Sequence, residues 1–206
     1  IRITQSGGQL VATPQYLGGG MPSETGSGEI FIKLDWSAVS NGDTPTTPVA
    51  TVAAATLVSS NFIASLGGRP LAELPLHLIG HSRGGSVISE MARLLGAEGV
   101  WVDQLTFLDP RPVGLFGDAA ATTYANVLFA DNYWQTLGNG VTVPNGQSVF
   151  GAYNRRLLNL AGGSSSSHSD THIWYRGTVD FTTPLLVDGA TLGAAERSAW
   201  WTAFEA

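Results

Sequence analysis

The most constraining stretch of the chain spans residues 74–96. An apolar run over 74–79 enters Gly80-His81-Ser82-Arg83-Gly84-Gly85, after which Val87, Ile88, Met91, Ala92, Leu94 and Leu95 recur at helical spacing up to Gly96. A short apolar run bounded by glycine suits a buried strand, and the recurrence that follows suits a helix with one buried face. Strand, tight turn and helix together form the first half of a βαβ unit, so a parallel neighbour has to come from elsewhere in the chain. Strand candidates at residues 100–108, stopped by Asp109-Pro110, and at 124–130, stopped by Asp131, can supply it. This alternation predicts an α/β chain with a mostly parallel central sheet flanked by helices.

The remaining segments are read in the same way. Residues 1–4 form a short strand-like opening, and residues 29–36, with Ile30, Ile32, Leu34 and Trp36 alternating, read as a largely buried strand. A helix is expected from Thr47 as N-cap, with Pro48 at its first position, up to Gly67-Gly68. Residues 138–170 look loop-rich and include the low-complexity run at 161–167. Two later segments, around 171–179 and 190–204, look helical. No internal repeat or interdomain linker is evident, so residues 1–206 are expected to form a single domain. The start at Ile1 rather than Met leads us to expect a processed or excised form with sequence upstream.

Composition excludes several function classes. Hydrophobic residues make up 43% and charged residues 13% of the 206, against about 25% charged in an ordinary soluble chain. Disordered chains combine low hydrophobicity with high net charge, which is not this pattern. Lys33 is the only lysine among ten basic residues, so no phosphate-neutralising patch is available and nucleic acid is not an expected partner. A net charge of −6 disfavours attraction to anionic membranes. No apolar run approaches the roughly 20 residues of a transmembrane helix. The absence of cysteine removes disulfides, thiol nucleophiles and Cys-ligated zinc together.

Gly80-x-Ser82-x-Gly84 matches the strand-to-helix turn that exposes a nucleophilic serine, with glycines on either side expected to let strand and helix approach. The pattern alone is weak in a chain with 26 glycines. Its place between an apolar strand and an amphipathic helix gives it weight. A phosphate-binding loop would require Gly-Lys-Ser/Thr or a third spaced glycine, and neither occurs. A serine also needs a base, and histidine has a suitable pKa. Of the four histidines, His77 lies within the strand and His81 should project away from Ser82, which leaves His168 or His172. A metal site built from His168, Asp170 and His172 is the other sharp reading, but it needs more ligands than the local sequence offers. Asp109 and Asp131, at expected strand ends, are the candidate acids, with the mid-strand Asp103 a poor third.

With these residues in view, the chain resembles the α/β-hydrolase superfamily, specifically its lipase and esterase branch, where Gly-His-Ser-x-Gly-Gly is a common elbow. Lys33-Leu34-Asp35-Trp36 is similar to the Asp-Trp strand end of pancreatic-type lipases, and Leu108-Asp109-Pro110 to their Leu-Asp-Pro. Ser167-His168-Ser169-Asp170 resembles the Ser-His-Ser stretch of filamentous-fungal lipases. The resemblance spans residues of about 29–180 in order. It implies a small, lidless α/β-hydrolase fold with Ser82 as nucleophile, His168 as base in a loop before the last helices, and Asp109 as acid. Ser169 or Asp170 would cap the following helix.

The Arg83 backbone N–H is the expected oxyanion donor, and Ser6-Gly7-Gly8 the nearest substitute for a missing His-Gly signature. The implied activity is that of a serine carboxylic-ester hydrolase working through an acyl-enzyme without cofactor or metal. Expected substrates are small-molecule, lipid or polymeric esters, with Trp134 and Trp174 as candidate cleft walls. The chain is expected to be monomeric and extracellular. The competing expectations are an acyltransferase or peptidase using the same triad, and an inactive hydrolase-like binding module of a larger extracellular protein.

Overall fold

The structure, a computed structural model, describes residues 1–20, 22–23, 26–40, 44–163, 166–180, 186–187, 190–191 and 194–202. It opens with an antiparallel hairpin, β1 (Arg2–Ser6) and β2 (Gln9–Thr13), closed by Gly7 and Gly8 at positive φ. Two consecutive positive-φ residues give the turn whose twist matches a two-residue hairpin. Residues 29–36 do not form the expected strand. Only Asp35 bridges to Arg2, through Ile3 N–H to Asp35 O at 2.7 Å and Asp35 N–H to Ile1 O at 2.8 Å. Ile30, Leu34 and Trp36 pack on the core while Phe31 is 88% exposed. The apolar alternation was legible, but past the single Asp35 bridge to Arg2 the segment takes no ladder partner among the described residues.

A short helix, α1 (Ser37–Ser40), precedes α2 (Thr46–Val58). The N-cap of α2 is Pro45, not Thr47, so Pro48 occupies the third helical position, still within the first turn where a missing N–H is harmless. The Thr46 hydroxyl instead accepts the Ala119 N–H at 3.1 Å. The helix ends at Val58, and only a single 3-10 turn, Ala64–Leu66, lies before Gly67.

The central sheet consists of β3 (His77–His81), β4 (Val102–Leu108), β5 (Val127–Gln135) and β6 (Tyr153–Leu157), in that spatial order and parallel throughout. The fold is therefore α/β, as expected. Strand β5 runs on through Asp131 to Gln135, and β6 lies inside the segment expected to be loop. Tyr153 to Leu157 carries two arginines and only one buried residue, so its apolar signal is faint. Between β3 and β4, α3 (Gly84–Ala97) buries Val87, Ile88, Met91, Ala92 and Leu95 on the face its spacing marks. That face packs on α2 and on Leu105 and Phe107 of β4 in the main core. Each large side chain so buried stabilises the fold by about 1.5–3 kcal/mol.

The opposite sheet face is covered by α4 (Ser167–Val179), which packs over β5 and β4. It starts earlier than expected. Ser166 is its N-cap, accepting the Ser169 N–H at 3.2 Å, so neither Ser169 nor Asp170 caps it and His168 sits inside the first turn rather than in a loop. Ile173 and Trp174 of α4 join Leu157, Leu160 and Trp200 in a second core. Trp200 belongs to α5 (Ala194–Thr202); of the rest of the expected 190–204 helix, Ala190–Thr191 instead pair as a short antiparallel strand with Leu186–Val187, and the remainder lies outside the described residues.

Candidate active site

The site grows out of the carboxyl ends of β3 and β4. His81 and Leu108 are register partners, and Ser82 and Asp109 are the next residue on each strand. Ser82 N–H donates to Leu108 O at 3.0 Å, which fastens the two tips together. Both residues leave the strand at positive φ, 56° for Ser82 and 46° for Asp109, the only non-glycine residues among those described to do so. Such a conformation is uncommon for a side-chain-bearing residue and costs of order 1–3 kcal/mol, so the surroundings must enforce it. At Ser82 they do. Its carbonyl accepts Gly85 N–H at 3.0 Å and Arg111 N–H at 3.1 Å.

Steric demand at this turn falls on two glycines. A Cβ at Gly80 would lie 2.9 Å from Gly85 N, and one at Gly85 would lie 2.8 Å from the Pro110 Cβ. Nothing comes within 4 Å of such an atom at Gly84, so the second glycine of the motif is not the one that lets strand and helix close. The residue that does so is Gly80, whose Cβ would run into the Gly84 carbonyl, while Gly85 lets the start of the helix close on the proline that follows Asp109.

Asp109 is fully buried and receives three bonds. His168 Nδ1 donates to Oδ2 at 2.6 Å, Gln135 Nε2 donates to the same oxygen at 2.7 Å, and Gln135 N–H donates to Oδ1 at 2.8 Å. The structure thus brings together Asp109 and His168, and the Nδ1 contact leaves Nε2 of His168 as the ring nitrogen for proton exchange. Asp131 does not join them. It lies within β5, where its Oδ1 accepts the Thr106 hydroxyl at 2.6 Å, and His77 Nε2 reaches it only through that hydroxyl, at 2.8 Å. Burial, followed by the charge of Asp131 and a hydrogen bond to it, pushes the Tyr133 phenol up. Asp131 is therefore the centre of a buried polar network under α4. Asp103 accepts Leu76 N–H at 2.8 Å and holds the start of β3.

The histidines form a cluster. The His81 ring lies 4.6 Å from that of His168 and 5.3 Å, edge-on, from that of His172. The His81 Nε2 donates to the backbone O of His168 at 2.8 Å. Burial holds its pKa down at about 4, assisted by His168 and His172 and opposed by the same hydrogen bond and by Asp109. Among the described residues no group of three or more His, Cys, Asp or Glu is arranged to hold a metal ion, which removes the reading built on His168, Asp170 and His172.

Arg83 enters twice. Its backbone N–H opens the helix after Ser82 and takes no backbone partner among the described residues. Its side chain was not foreseen. It grips Asp118 at 2.7 Å through both Nε and Nη2, and donates to Ser40 O at 2.9 Å and Thr44 O at 2.8 Å. The guanidinium lies 5.2 Å from the Trp36 ring centre and 5.1 Å from that of Phe116. A planar, five-donor cation is the side chain that can pin two loops at once.

Other expected parts fall elsewhere. Ser6-Gly7-Gly8 is a hairpin turn with nothing within 4 Å of the glycine Cβ positions. Trp174 is a core residue, 1% exposed, with its Nε1 donating to Trp200 O at 3.0 Å, and it borders a small recess with Arg155, Arg156 and Trp200. Trp134 stacks with Arg156, whose guanidinium lies 5.7 Å from its ring centre. Gln135, missed in the sequence, ties the acid to the base helix: its Oε1 accepts the Ser167 hydroxyl at 3.1 Å and Leu137 N–H at 2.6 Å. A groove of about 410 Å³ opens beside that first turn, walled by Leu137, Val143, Leu158 and Leu160 with Ser167 and Asp170. Among the described residues no helix is long and apolar enough to cross a membrane. Comparison with protein-family models, curated proteins and solved structures found no match.

Proposed function

We propose that the protein is a serine carboxylic-ester hydrolase of α/β-hydrolase type, with Ser82, His168 and Asp109 as its relay. The observation that carries this reading is the 2.6 Å contact between His168 Nδ1 and Asp109 Oδ2, made beside a serine held at φ 56° on the adjoining strand tip. A buried carboxylate on Nδ1 fixes the tautomer in which Nε2 accepts a proton, and stabilises the imidazolium once it forms.

In the proposed cycle Ser82 Oγ attacks the acyl carbon as His168 Nε2 takes its proton. The oxyanion is met by the Arg83 N–H, a contact commonly worth about 3 kcal/mol. Collapse of the tetrahedral intermediate expels the alcohol, which leaves with the proton from Nε2. Water then attacks the acyl-enzyme, gives its proton to Nε2, and the acid departs as Oγ recovers that proton. No cofactor enters any step. The substrate in this reading is a small-molecule, lipid or polymeric ester; the groove beside α4 flanks the base through Ser167 and Asp170 but is lined by neither Ser82 nor His168, and a secreted enzyme meeting such esters outside the cell fits the low charge of the chain.

Fluorophosphonate labelling and turnover of p-nitrophenyl butyrate test the reading. Labelling should map to Ser82, and both labelling and turnover should vanish in Ser82→Ala. His168→Ala should lose at least about 10³-fold in kcat while His172→Ala stays within a few-fold. An unlabelled, inactive wild type would favour a binding module, and a labelled but non-hydrolysing one an acyltransferase.

A further inference from the structure

We infer that His81 is a positioning residue for the base: the residue preceding Ser82 reaches across to the main chain of His168 and sets the first turn of α4 against the tip of β3. This inference rests on the esterase reading above.

The need for such a tie follows from the layout. Ser82 sits at the tip of β3, the edge strand of the sheet, whereas His168 belongs to α4, which packs over β4 and β5. The separation of nucleophile and base is therefore not fixed by the packing of α4 on its own strands. His81 bridges that gap with its Nε2 donor to His168 O at 2.8 Å, and its ring lies against the His168 ring at 4.6 Å. One side chain thus restrains both the backbone and the imidazole of the base. On the other side Gln135 holds Asp109 and accepts from Ser167, so the first turn of α4 is gripped from β3 and from β5.

The chemistry of the contact is also defined. A carbonyl only accepts, so His81 Nε2 must carry hydrogen. The carbonyl has two lone pairs, so it can accept His81 in addition to a helical N–H. A neutral His81 is the appropriate neighbour, because His168 becomes cationic in every turnover and a second charge at 4.6 Å would oppose it. His77, four residues earlier on the same face of β3, bonds Thr106 and takes no part in this contact.

The test compares three substitutions with the wild type. His81→Leu keeps bulk and removes the donor, His81→Gln keeps an N–H near the position of Nε2, and His81→Asn carries an amide too short to reach it. For each, kcat and KM with p-nitrophenyl butyrate, the rate of fluorophosphonate labelling, and Tm are measured. Misplacing a catalytic group by an ångström costs up to about 10²-fold. His81→Leu and His81→Asn should therefore lose roughly 10- to 100-fold in kcat with KM within about 3-fold, and labelling should slow in parallel, while His81→Gln recovers to within about 5-fold of wild type. Wild-type kcat in a folded His81→Leu overturns the inference. So does a loss in all three variants that follows Tm, or, if His81→Leu does not fold, equal rates in His81→Gln and His81→Asn. A wild type that neither labels nor turns over refutes instead the esterase reading on which the inference stands.

Discussion

Ser82 and Asp109 occupy equivalent positions on adjacent parallel strands: each is the first residue past its strand, each turns at positive φ, and the Ser82 N–H bonds the carbonyl immediately before Asp109. Nucleophile and acid are thus spaced by the strand ladder, near 4.8 Å between neighbouring strands, and the histidine has to arrive from the helix above.

The two aspartates make the sharpest contrast. Asp109→Asn should keep the fold but remove the carboxylate that fixes the His168 tautomer, lowering kcat by about 10³- to 10⁴-fold. Asp131→Asn should leave kcat within about 3-fold and lower stability by about 1–3 kcal/mol, because Thr106 and Tyr133 lose a charged partner. Steady-state kinetics with urea unfolding of both variants checks the pair; the reverse pattern would move the acid to Asp131.

Gln135 should behave as part of the relay although it does not touch a reacting atom. In Gln135→Leu the Asp109 Oδ2, the Pro144 carbonyl, the Ser167 hydroxyl and the Leu137 N–H each lose a partner. Buried groups left unpaired cost about 1–3 kcal/mol each before relaxation. The expected outcome is a loss of about 3 kcal/mol or more in urea unfolding, and a roughly 10-fold or greater fall in kcat at a temperature where the variant remains folded. An unchanged kcat in folded material would reduce Gln135 to a structural bond.

Gly146 carries the tightest backbone approach to the acid. A Cβ there would lie 2.9 Å from Asp109 Cα and closer still to its carboxylate, while Gly146 N–H is held by Gln135 O at 3.1 Å. Neither neighbour is a flexible chain end. Gly146→Ala should therefore displace Asp109, with kcat falling by at least about 10-fold and stability by about 1–3 kcal/mol, the range for overpacking. Wild-type kinetics in this variant would mean that the loop at 144–146 yields more readily than its hydrogen bonds suggest.

Much of this arrangement was legible in advance, and the gaps have physical causes. The elbow, α3 and β4 carried strong local signals: an apolar run, a helical period, and a proline that ends a strand. The residues alone left His168 or His172 and Asp109 or Asp131 open, and the choice of Asp109 and His168 came from the resemblance to lipases. Strand β6 was missed because Tyr153 to Leu157 is polar on the exposed edge of the sheet. Residues 29–36 showed the converse fault, since alternation states which faces are apolar but not whether a neighbouring strand is there to bond them. The roles of Gln135, Gly146 and the Arg83 side chain rest on contacts between residues 26 to 43 positions apart, which no local pattern encodes. The start of α4 was misplaced because three serines compete for one cap, and Ser166 won.

Arg83→Lys separates the two uses of that residue. The backbone N–H persists in lysine, but the two-point grip on Asp118 and the reach to Ser40 O and Thr44 O do not. Breaking a buried ion pair in this way commonly costs about 3–5 kcal/mol, and lysine recovers part of it as a point charge. A loss of about 2–4 kcal/mol is expected, with kcat in folded material down by less than about 10-fold. Measuring kcat and unfolding on one preparation decides it. A kcat loss far beyond 10-fold in folded protein would mean that the side chain acts in catalysis itself.

The pH dependence of stability has a defined sign. His81 is held at a pKa of about 4 by burial, against about 6.5 in the unfolded chain, and His77 is lowered in the same direction. A histidine whose folded pKa is lowered binds more protons when unfolded, so its stabilisation is complete above pH 6.5 and is lost progressively as pH falls toward 4. For His81 the loss amounts to about 3 kcal/mol, equivalent to a fall in Tm of roughly 6–12 °C for a domain of this size. His168, His172 and Asp109 face the ring, and the first two add to the effect. Asp35, lowered to about 2 by its bonds to Ser37 and Arg2, begins to act near pH 4, but it is common to wild type and His81→Gln and so cancels from their comparison. Calorimetric Tm values at pH 7.5, 6, 5 and 4 should fall steeply in the wild type and more shallowly in His81→Gln, which has nothing to protonate at that position. Superimposable curves would show that His81 takes up its proton in the folded protein as readily as in the unfolded chain.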